Sequence, residues 1–169
     1  MLLERGHRVS LACRPGSPLE KRCRSLSDLS FDCRSIDMKM GPGAFFLLYR
    51  YLKARCPDIV HTHSSSDSWL GGLAGRFAGI PVVRSRHVSL PVNDFFPNHL
   101  LYSYLPERII TSGTAISKTV TQIRGVDPSK VVSVSAGVDL RRFDAALSGD
   151  VIRAELKVRP GQPLVGKIG

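Results

Sequence analysis

The stretch PDIVHTHSSSDSWLGGLAGRFAGIPVVRSRH, residues 57–87, constrains the fold of this chain more than any other part. It contains two β-branched runs, at 59–60 and 82–83, that are too short and too sharply bounded to be helices. Between the runs, Ser66 or Asp67 can cap a helix, and a glycine followed by a proline ends it. The stretch therefore predicts a parallel β-α-β unit with a right-handed crossover.

The same alternation of strands and helices continues through the rest of the 169 residues, a length sufficient for one α/β domain with a sizeable core. Beyond the central unit, strand patterns fall at 7–13, 30–35, 108–111 and 131–134, and a last strand begins within 163–169. Helical patterns fall at 1–5, 17–26, 44–56, 114–124 and from 148 onward. We therefore predict the α/β fold class, as a doubly wound, Rossmann-like parallel sheet.

Composition narrows the class of protein further. The longest apolar-rich stretch, 44–52, is interrupted by Arg50 and is too short to cross a bilayer. The four cysteines form no C-x-x-C pair, and we expect reduced thiols in or near the core, which points to the cytosol. The formal charge of +10 favours phosphate-bearing partners, although a solvated basic surface without a partner explains it as well.

Polar residues gather at the carboxyl ends of the two central strands, and ligands of parallel sheets bind beyond such ends. His61 and His63 lie on the same side of the first strand because strand side chains repeat every two residues, and His63 lies nearer the tip. Residues 64–66 follow at a helix amino terminus, where serines act either as an anion or hydroxyl site or simply as caps. The second strand ends with two arginines and a histidine: Arg84, Arg86 and His87. We predict a binding site between the two tips.

Four motifs occur together in an order and spacing that are specific as a combination. They are D-x-V-H-x-H at 58–63, G-I-P-V-V at 79–83, an Ile-Ile pair followed by Ser112, and the turn G-V-D-x-x-x-F at 137–143. In this combination the chain resembles the amino-terminal half of family 4 glycosyltransferases, which have the two-domain GT-B fold. The resemblance implies that residues 1–158 form the amino-terminal domain without its first strand. It also implies that residues 159–169 begin a carboxyl-terminal domain whose remainder is absent.

The resemblance further implies an activity, the transfer of a sugar from a nucleotide sugar to a glycan or lipid-linked acceptor with retention at the anomeric carbon. The sequence R-H-V-S-L-P at 86–91 is similar to that of bacterial members that build lipopolysaccharide or related cell-surface polysaccharides. In this family the amino-terminal domain mainly holds the acceptor. The nucleotide sugar is a co-substrate, and we expect neither a cofactor nor a bound metal. We accordingly expect a cytoplasmic protein, peripheral at the inner face of the plasma membrane, with an anionic membrane surface as a further partner.

Residue roles follow from the same resemblance. His87 is similar to the family histidine that reaches the donor sugar or its phosphates, and we predict that it is catalytic because fixed donors stabilise a departing diphosphate. The predicted substrate-binding residues are His63, Ser64, Ser65, Arg84, Arg86 and Ser112.

The chain departs from the family pattern in three places. The glycine-rich turn after the family's first strand has no counterpart before Met1, and the acidic and basic donor-binding motifs have none after Gly169. Ala136 stands where an asparagine is frequent. We therefore expect the isolated chain to be an incomplete fragment with little or no transferase activity.

Three other functions stay open at this point. The pair His61 and His63 suits a zinc-dependent hydrolase in which His87 or Asp67 supplies a third ligand. The basic surface suits a non-catalytic module that binds anionic lipid, whereas no basic motif interleaved with aromatic residues supports nucleic acid. The glycines at 72, 75 and 79 suggest a dinucleotide site, but they lie within or after a helix, where close packing explains them better.

Overall fold

The structure is a computed structural model. It describes residues 2–25, 31–37, 41–93, 95–140, 143–144 and 146–166. The chain divides into two compact units, Met1–Ser135 and Ala136–Gly169.

The described strands are all parallel to their neighbours. They are β1 (Val9–Cys13), β2 (Phe31–Ser35), β3 (Val60–Thr62), β4 (Val82–Arg86), β5 (Arg108–Thr111) and β6 (Val131–Ser133). They form two sheets, one with the order β1-β2 and one with the order β3-β4-β5-β6. The predicted α/β class with parallel strands is confirmed. The described strands do not form one continuous sheet, because β1 and β3 are not hydrogen-bonded to each other.

Helices connect these strands. They are α1 (Pro18–Arg24), α2 (Pro42–Arg55), α3 (Ser65–Ala78), α4 (Phe96–His99), α5 (Thr114–Thr121) and α6 (Asp150–Glu155). Short turns of other helix types occur at Leu3–Arg5, Leu100–Tyr104 and Pro128–Lys130. Within the parts of the chain that the structure covers, no helix combines the length and apolarity that a membrane span requires.

Two sequence predictions concern the second unit. Within the predicted last strand, residues 163–166 are irregular rather than extended in a sheet, and 167–169 lie outside the described residues. The predicted domain boundary between residues 158 and 159 stays a prediction.

The amino terminus of α3 differs from the predicted one, because the cap is Ser64 rather than Ser66 or Asp67. The Ser64 hydroxyl accepts a hydrogen bond from the Asp67 amide at 3.2 Å, and the Asp67 carboxylate accepts one from the Ser64 amide at 3.3 Å. This reciprocal capping box satisfies two amides at once, which a cap at either predicted residue would not do. The helix therefore starts immediately after β3 and ends at Gly79, whose φ is +76°.

Glycines bring α3 into close contact with its neighbours. A Cβ atom placed at Gly75 would lie 2.6 Å from Val82 Cγ2, and one at Gly71 would lie 2.8 Å from Thr62 Cγ2. At Gly72 the nearest atom would be a Leu105 side-chain carbon at 3.1 Å. Close helix packing, the explanation favoured from the sequence, is confirmed for Gly72 and Gly75.

Buried apolar side chains form two clusters within the first unit. One includes Leu101, Tyr102, Leu105, Ile109 and Val120. The other includes Ile36 with residues of α2 and α3, namely Leu48, Leu52, Leu70 and Ala74. The α3 helix contributes to the second cluster directly, so its distance from the sheet controls how well this cluster packs.

We expect Gly75→Ala to lower the free energy of unfolding by about 1–3 kcal/mol, because the added methyl group overpacks the contact with Val82. Urea unfolding measures this as a lower midpoint at unchanged slope. Gly43→Ala in α2 is the matched control, since no atom lies within 4 Å of its added Cβ, and it should be neutral or stabilising. Equal stability of the Gly75→Ala and Gly43→Ala proteins would contradict the close-packing account.

Candidate functional site

Three histidines meet at the carboxyl ends of β3 and β4. The rings of His61 and His63 have centroids 4.3 Å apart, and those of His63 and His87 are 5.9 Å apart and nearly parallel, with an interplanar angle of 8°. His63 and His87 are both exposed. Two neighbouring strand tips therefore present one surface of imidazole groups, which we call the histidine cluster (His61, His63 and His87).

Ser85 anchors the inner end of the histidine cluster. Its Oγ lies 2.8 Å from Nε2 of His61, and the two groups share a hydrogen bond. Ser85 is buried, whereas part of the His61 side chain is exposed. Desolvation of the imidazole nevertheless lowers the pKa of His61 from its ordinary value, and the nearby His63 and His87 lower it further. Both effects favour the neutral form of the His61 imidazole.

Ser85 is a site residue that was not predicted, although the sequence carries a signal for it. Side chains alternate between the two faces of a strand, so Ser85 lies on the same face as His87, the residue directly after β4. The register adds that His61 lies opposite Val83, one diagonal step from Ser85.

The two arginines of β4 are directed away from the histidine cluster, which corrects their predicted position beside His87. Arg84 and Arg86 both donate hydrogen bonds to the Tyr102 phenol oxygen, at 3.0 Å and 2.6 Å. Arg84 is only 3 % exposed, and its guanidinium carbon lies 4.0 Å from the centre of the Tyr102 ring. The reason is strand alternation, which sends residues 84 and 86 to one face of β4 and residue 85 to the other.

Hydrogen bonds offset only part of the desolvation cost of burying Arg84 and Arg86. In the described part of the structure, Nε and Nη1 of Arg84 and Nε of Arg86 are buried without a hydrogen-bond partner. Desolvation lowers the pKa of Arg84 from its ordinary value, and the positive charge of Arg86 lowers it further. The face of the Tyr102 ring attracts both cations and offsets part of the cost. Arg86 also donates to the carbonyl oxygen of Leu90 and so holds the segment after β4 against the strand.

The predicted serines occupy three different environments. The hydroxyl of Ser64 caps α3, which is the structural role that the sequence left open for this residue. Ser65 is exposed in the first turn of α3. Ser112 follows β5, half-buried, and its amide donates to the Arg86 carbonyl oxygen at 3.3 Å. Of the predicted site residues, the structure brings the side chains of His63 and His87 together. It directs the side chains of Arg84 and Arg86 to Tyr102 instead.

The histidine cluster is not part of a metal-binding arrangement among the described residues. Among them, no group of three or more His, Cys, Asp or Glu side chains is arranged to hold a metal ion. The zinc hydrolase considered from the sequence therefore lacks a ligand set in this part of the chain.

Comparison with known proteins identifies relatives of this chain. A sequence model of glycosyltransferase family 4 matches residues 1–142. The chain is 30 % identical over 156 residues to the Escherichia coli UDP-Gal:alpha-D-GlcNAc-diphosphoundecaprenol alpha-1,3-galactosyltransferase, a match over 85 % of this chain and 40 % of that protein. It is 25 % identical over 128 residues to the D-inositol 3-phosphate glycosyltransferase of Rhodococcus erythropolis, over 66 % of this chain and 28 % of that protein. The chain thus spans less than half the length of both relatives.

Solved structures share the fold. A glycosyltransferase from Rickettsia africae matches with a TM-score of 0.77 at 18 % identity, over 96 % of this chain and 44 % of that one. The Anabaena protein Alr3699/HepE, solved in complex with UDP, matches with a TM-score of 0.68 at 13 % identity, over 88 % of this chain and 42 % of that one.

We expect the stability of the protein to fall on acidification partly through His61. Its pKa is lowered by folding, so the unfolded state binds more protons once the pH falls through the ordinary value of 6.5. The contribution of His61 to the free energy of unfolding is therefore fully present above that pH, and it is lost as the pH falls from 6.5 through the lower pKa of folded His61. In urea unfolding at pH 7.5 and 5.5, His61→Gln should lose less stability between the two values than the wild type. His7→Gln, at an exposed residue outside the cluster, should behave as the wild type does. An unchanged pH dependence in His61→Gln would contradict this expectation.

We expect Tyr102→Phe to destabilise the protein by about 1–3 kcal/mol, because it removes the phenol oxygen that accepts hydrogen bonds from Arg84 and Arg86. Tyr104→Phe is the matched control, since Tyr104 is 60 % exposed, and its loss should change stability by less than about 0.5 kcal/mol. Thermal or urea unfolding of both variants measures the difference. Equal effects would show that the Tyr102 hydroxyl is dispensable.

Proposed function

Because the chain belongs to glycosyltransferase family 4, we propose that it forms the acceptor-side half of a retaining enzyme that transfers a sugar from a nucleotide sugar to a lipid-linked or glycan acceptor. The observation that carries this proposal is the exposed pair of His63 and His87 at the carboxyl edge of a parallel sheet. That edge is where ligands of such sheets bind. The parallel α/β fold is the one expected for half of a GT-B protein.

We propose His87 as the catalytic residue. When the bond between the sugar and the nucleotide diphosphate breaks, negative charge develops on the departing oxygen. An imidazole N–H fixed at the edge of a cleft stabilises this charge without having to reorganise, an effect of about 10²- to 10³-fold in rate. The His87 ring lies nearly parallel to the His63 ring, with the two centroids 5.9 Å apart. Its exposure leaves the outer side of the ring free for a substrate.

The remaining site residues are assigned to substrate binding. His63 and Ser65 are exposed at the strand tip and in the first turn of α3, where hydroxyl groups or an anion can be bound. Ser112 follows the next strand, β5, and its amide donates to the carbonyl oxygen of Arg86 at the end of β4, so Ser112 borders the same edge. Ser64 supports the site indirectly as the cap of α3. Arg84 and Arg86 support it indirectly by bonding to Tyr102 on the opposite face of β4.

The substrates are inferred from the relatives. The Escherichia coli relative is named for a UDP-galactose donor and a diphosphoundecaprenol acceptor, and the Anabaena protein was solved with UDP. A diphosphate-linked acceptor also suits the charge of +10 on this chain. We therefore propose a nucleotide-sugar donor, a lipid-linked acceptor and a role in building lipopolysaccharide or another surface polysaccharide. We propose no metal, no cofactor and no nucleic acid partner.

Membrane attachment is part of the same proposal. The α2 helix exposes Phe46 and Leu47 next to the basic residues Arg50, Lys53 and Arg55. Exposed apolar side chains beside cations suit the surface of an anionic bilayer, where a lipid-linked acceptor is held. This supports a peripheral position at the cytoplasmic face of the plasma membrane.

The donor is proposed to bind mainly to a carboxyl-terminal domain. The chain spans 40 % of the galactosyltransferase relative, so we infer that it holds the acceptor and lacks most donor contacts by itself. The isolated 169 residues should then transfer little or no sugar.

We expect His87→Ala to lower turnover by about 10²- to 10³-fold with a melting temperature close to that of the wild type. The assay follows radiolabelled sugar from UDP-galactose or UDP-glucose to a short-chain GlcNAc-diphospholipid, in the longest polypeptide that the reading frame of this chain encodes. His7→Ala is the control, because His7 is exposed and lies outside the histidine cluster.

Two results would contradict the proposal. Wild-type turnover in His87→Ala would remove His87 from the mechanism. Robust sugar transfer by the isolated 169-residue chain would show that the donor needs no further domain.

A further inference from the structure

A buried serine contacts one ring of the histidine cluster. Ser85 is only 4 % exposed, and its Oγ lies 2.8 Å from Nε2 of His61. His61 itself is an exposed residue. A hydroxyl group that is shielded from solvent needs an acceptor for its proton, because an unpaired buried donor costs its full desolvation penalty. The direction of this hydrogen bond therefore follows from the acceptors that the Ser85 hydroxyl can reach.

Nε2 of His61 is the acceptor that the structure provides. Within the described residues, the Ser85 hydroxyl has no other hydrogen-bond partner. If Nε2 carried a proton, it would donate to Oγ, and the hydroxyl proton of Ser85 would be buried without an acceptor. If Nε2 is unprotonated, the hydroxyl donates to it and both groups are satisfied. The second arrangement is the more stable one, so Ser85 donates and His61 accepts.

The proton of the neutral His61 ring then lies on the other nitrogen, Nδ1. A neutral imidazole carries one proton, and the hydrogen bond that one nitrogen makes sets the state of the other. Burial of the ring, and then the nearby His63 and His87, lower the pKa of His61 and favour this neutral form. Among the residues that the structure describes, none accepts a hydrogen bond from Nδ1. The exposed His61 side chain therefore offers one N–H donor to a ligand.

We propose that Ser85 fixes His61 as the Nδ1–H tautomer, and that His61 in this form donates a hydrogen bond to a phosphate oxygen of the substrate. Ser85 is then a positioning residue and His61 a substrate-binding residue. This assignment deepens the proposed function and rests on it in one respect, the choice of a phosphate group as the ligand. The tautomer itself follows from the burial of Ser85 and does not depend on any activity.

The surroundings of His61 suit a phosphate ligand. A protonated Nδ1 only donates, so its partner must be an acceptor, and the oxygens of a diphosphate are acceptors. The rings of His63 and His87 lie at the same strand tips, with the His61 and His63 centroids 4.3 Å apart. A neutral donor adds a hydrogen bond there without placing a third positive charge beside two imidazoles. His61 can therefore bind an anion together with its neighbours without competing with them for a proton.

The tautomer can be measured in the ¹⁵N-labelled 169-residue chain at pH 7.5, from long-range proton–nitrogen correlations within the imidazole rings. We expect a protonated Nδ1 and an unprotonated Nε2 for His61 in the wild type. Ser85→Ala removes the donor, so Nε2 should become protonated in that variant. Ser85→Thr retains a hydroxyl group and should restore the wild-type pattern.

Ser68→Ala is the matched control for the loss of a buried serine hydroxyl. Ser68 is 3 % exposed, and its hydroxyl donates to the Ser64 carbonyl oxygen at 2.6 Å. We expect this variant to lose stability as Ser85→Ala does, but to keep the wild-type tautomer of His61. The comparison separates a general effect of a lost hydroxyl from a specific effect on the imidazole.

Phosphate binding is tested with inorganic pyrophosphate and two variants of His61. The amide nitrogen of an asparagine takes approximately the place of Nδ1, and that of a glutamine takes approximately the place of Nε2. His61→Asn should therefore bind pyrophosphate within about twofold of the wild-type affinity, and His61→Gln at least about fivefold more weakly. In the longest polypeptide that the reading frame encodes, His61→Gln should raise the KM for the diphospholipid acceptor about fivefold, with kcat within about twofold.

Three results would overturn the proposal. The first is a protonated Nε2 of His61 in the wild type. The second is the same His61 tautomer in Ser85→Ala as in the wild type. The third is equal pyrophosphate affinity of His61→Asn and His61→Gln, or no binding by the wild type up to about 10 mM. Failure of the proposed function gives a different result, namely no sugar transfer by the longer polypeptide while the tautomer and pyrophosphate binding are as expected.

Discussion

The parallel pairing of β3 with β4 is the constraint on which the rest of the site depends. Its register sets His61 opposite Val83 and Thr62 opposite Arg84. This places the His61 imidazole against Ser85 and brings the two strand tips close enough for His63 and His87 to stack. The pairing is stabilised by close contact with α3, which is possible because glycines stand where larger residues would collide with Thr62 and Val82.

The two faces of β4 carry different chemistry for a simple geometric reason. One face presents Ser85 to the imidazoles, and the other buries Arg84 against Tyr102. The buried face is costly, because a desolvated guanidinium retains unpartnered N–H groups, and the phenol oxygen and aromatic ring compensate only in part. Arg86 also donates a hydrogen bond to the Leu90 carbonyl oxygen, which holds the segment after His87 against β4.

Much of this organisation could be predicted from local patterns. The β-branched runs and their glycine and proline boundaries located the central strands and α3, and alternation placed His61 and His63 on one side. The cap of α3 was placed two to three residues too late, because several adjacent serines and an aspartate are equally good caps. Arg84 was assigned to the site because it lies near the strand end in sequence. The prediction considered its position along the strand but not the face to which its side chain is directed.

The sequence by itself determined the parallel α/β class, the family and the strand tips at which polar residues gather, because these follow from periodicity and motifs within short segments. Only the tertiary structure decided that Ser85 supports His61 and that Tyr102 receives both arginines. It also decided that β1 and β3 are edges of separate sheets bordering one cavity. The physical reason is that each of these depends on which distant segments pair and pack, and the free energy of such contacts is not encoded in any local pattern.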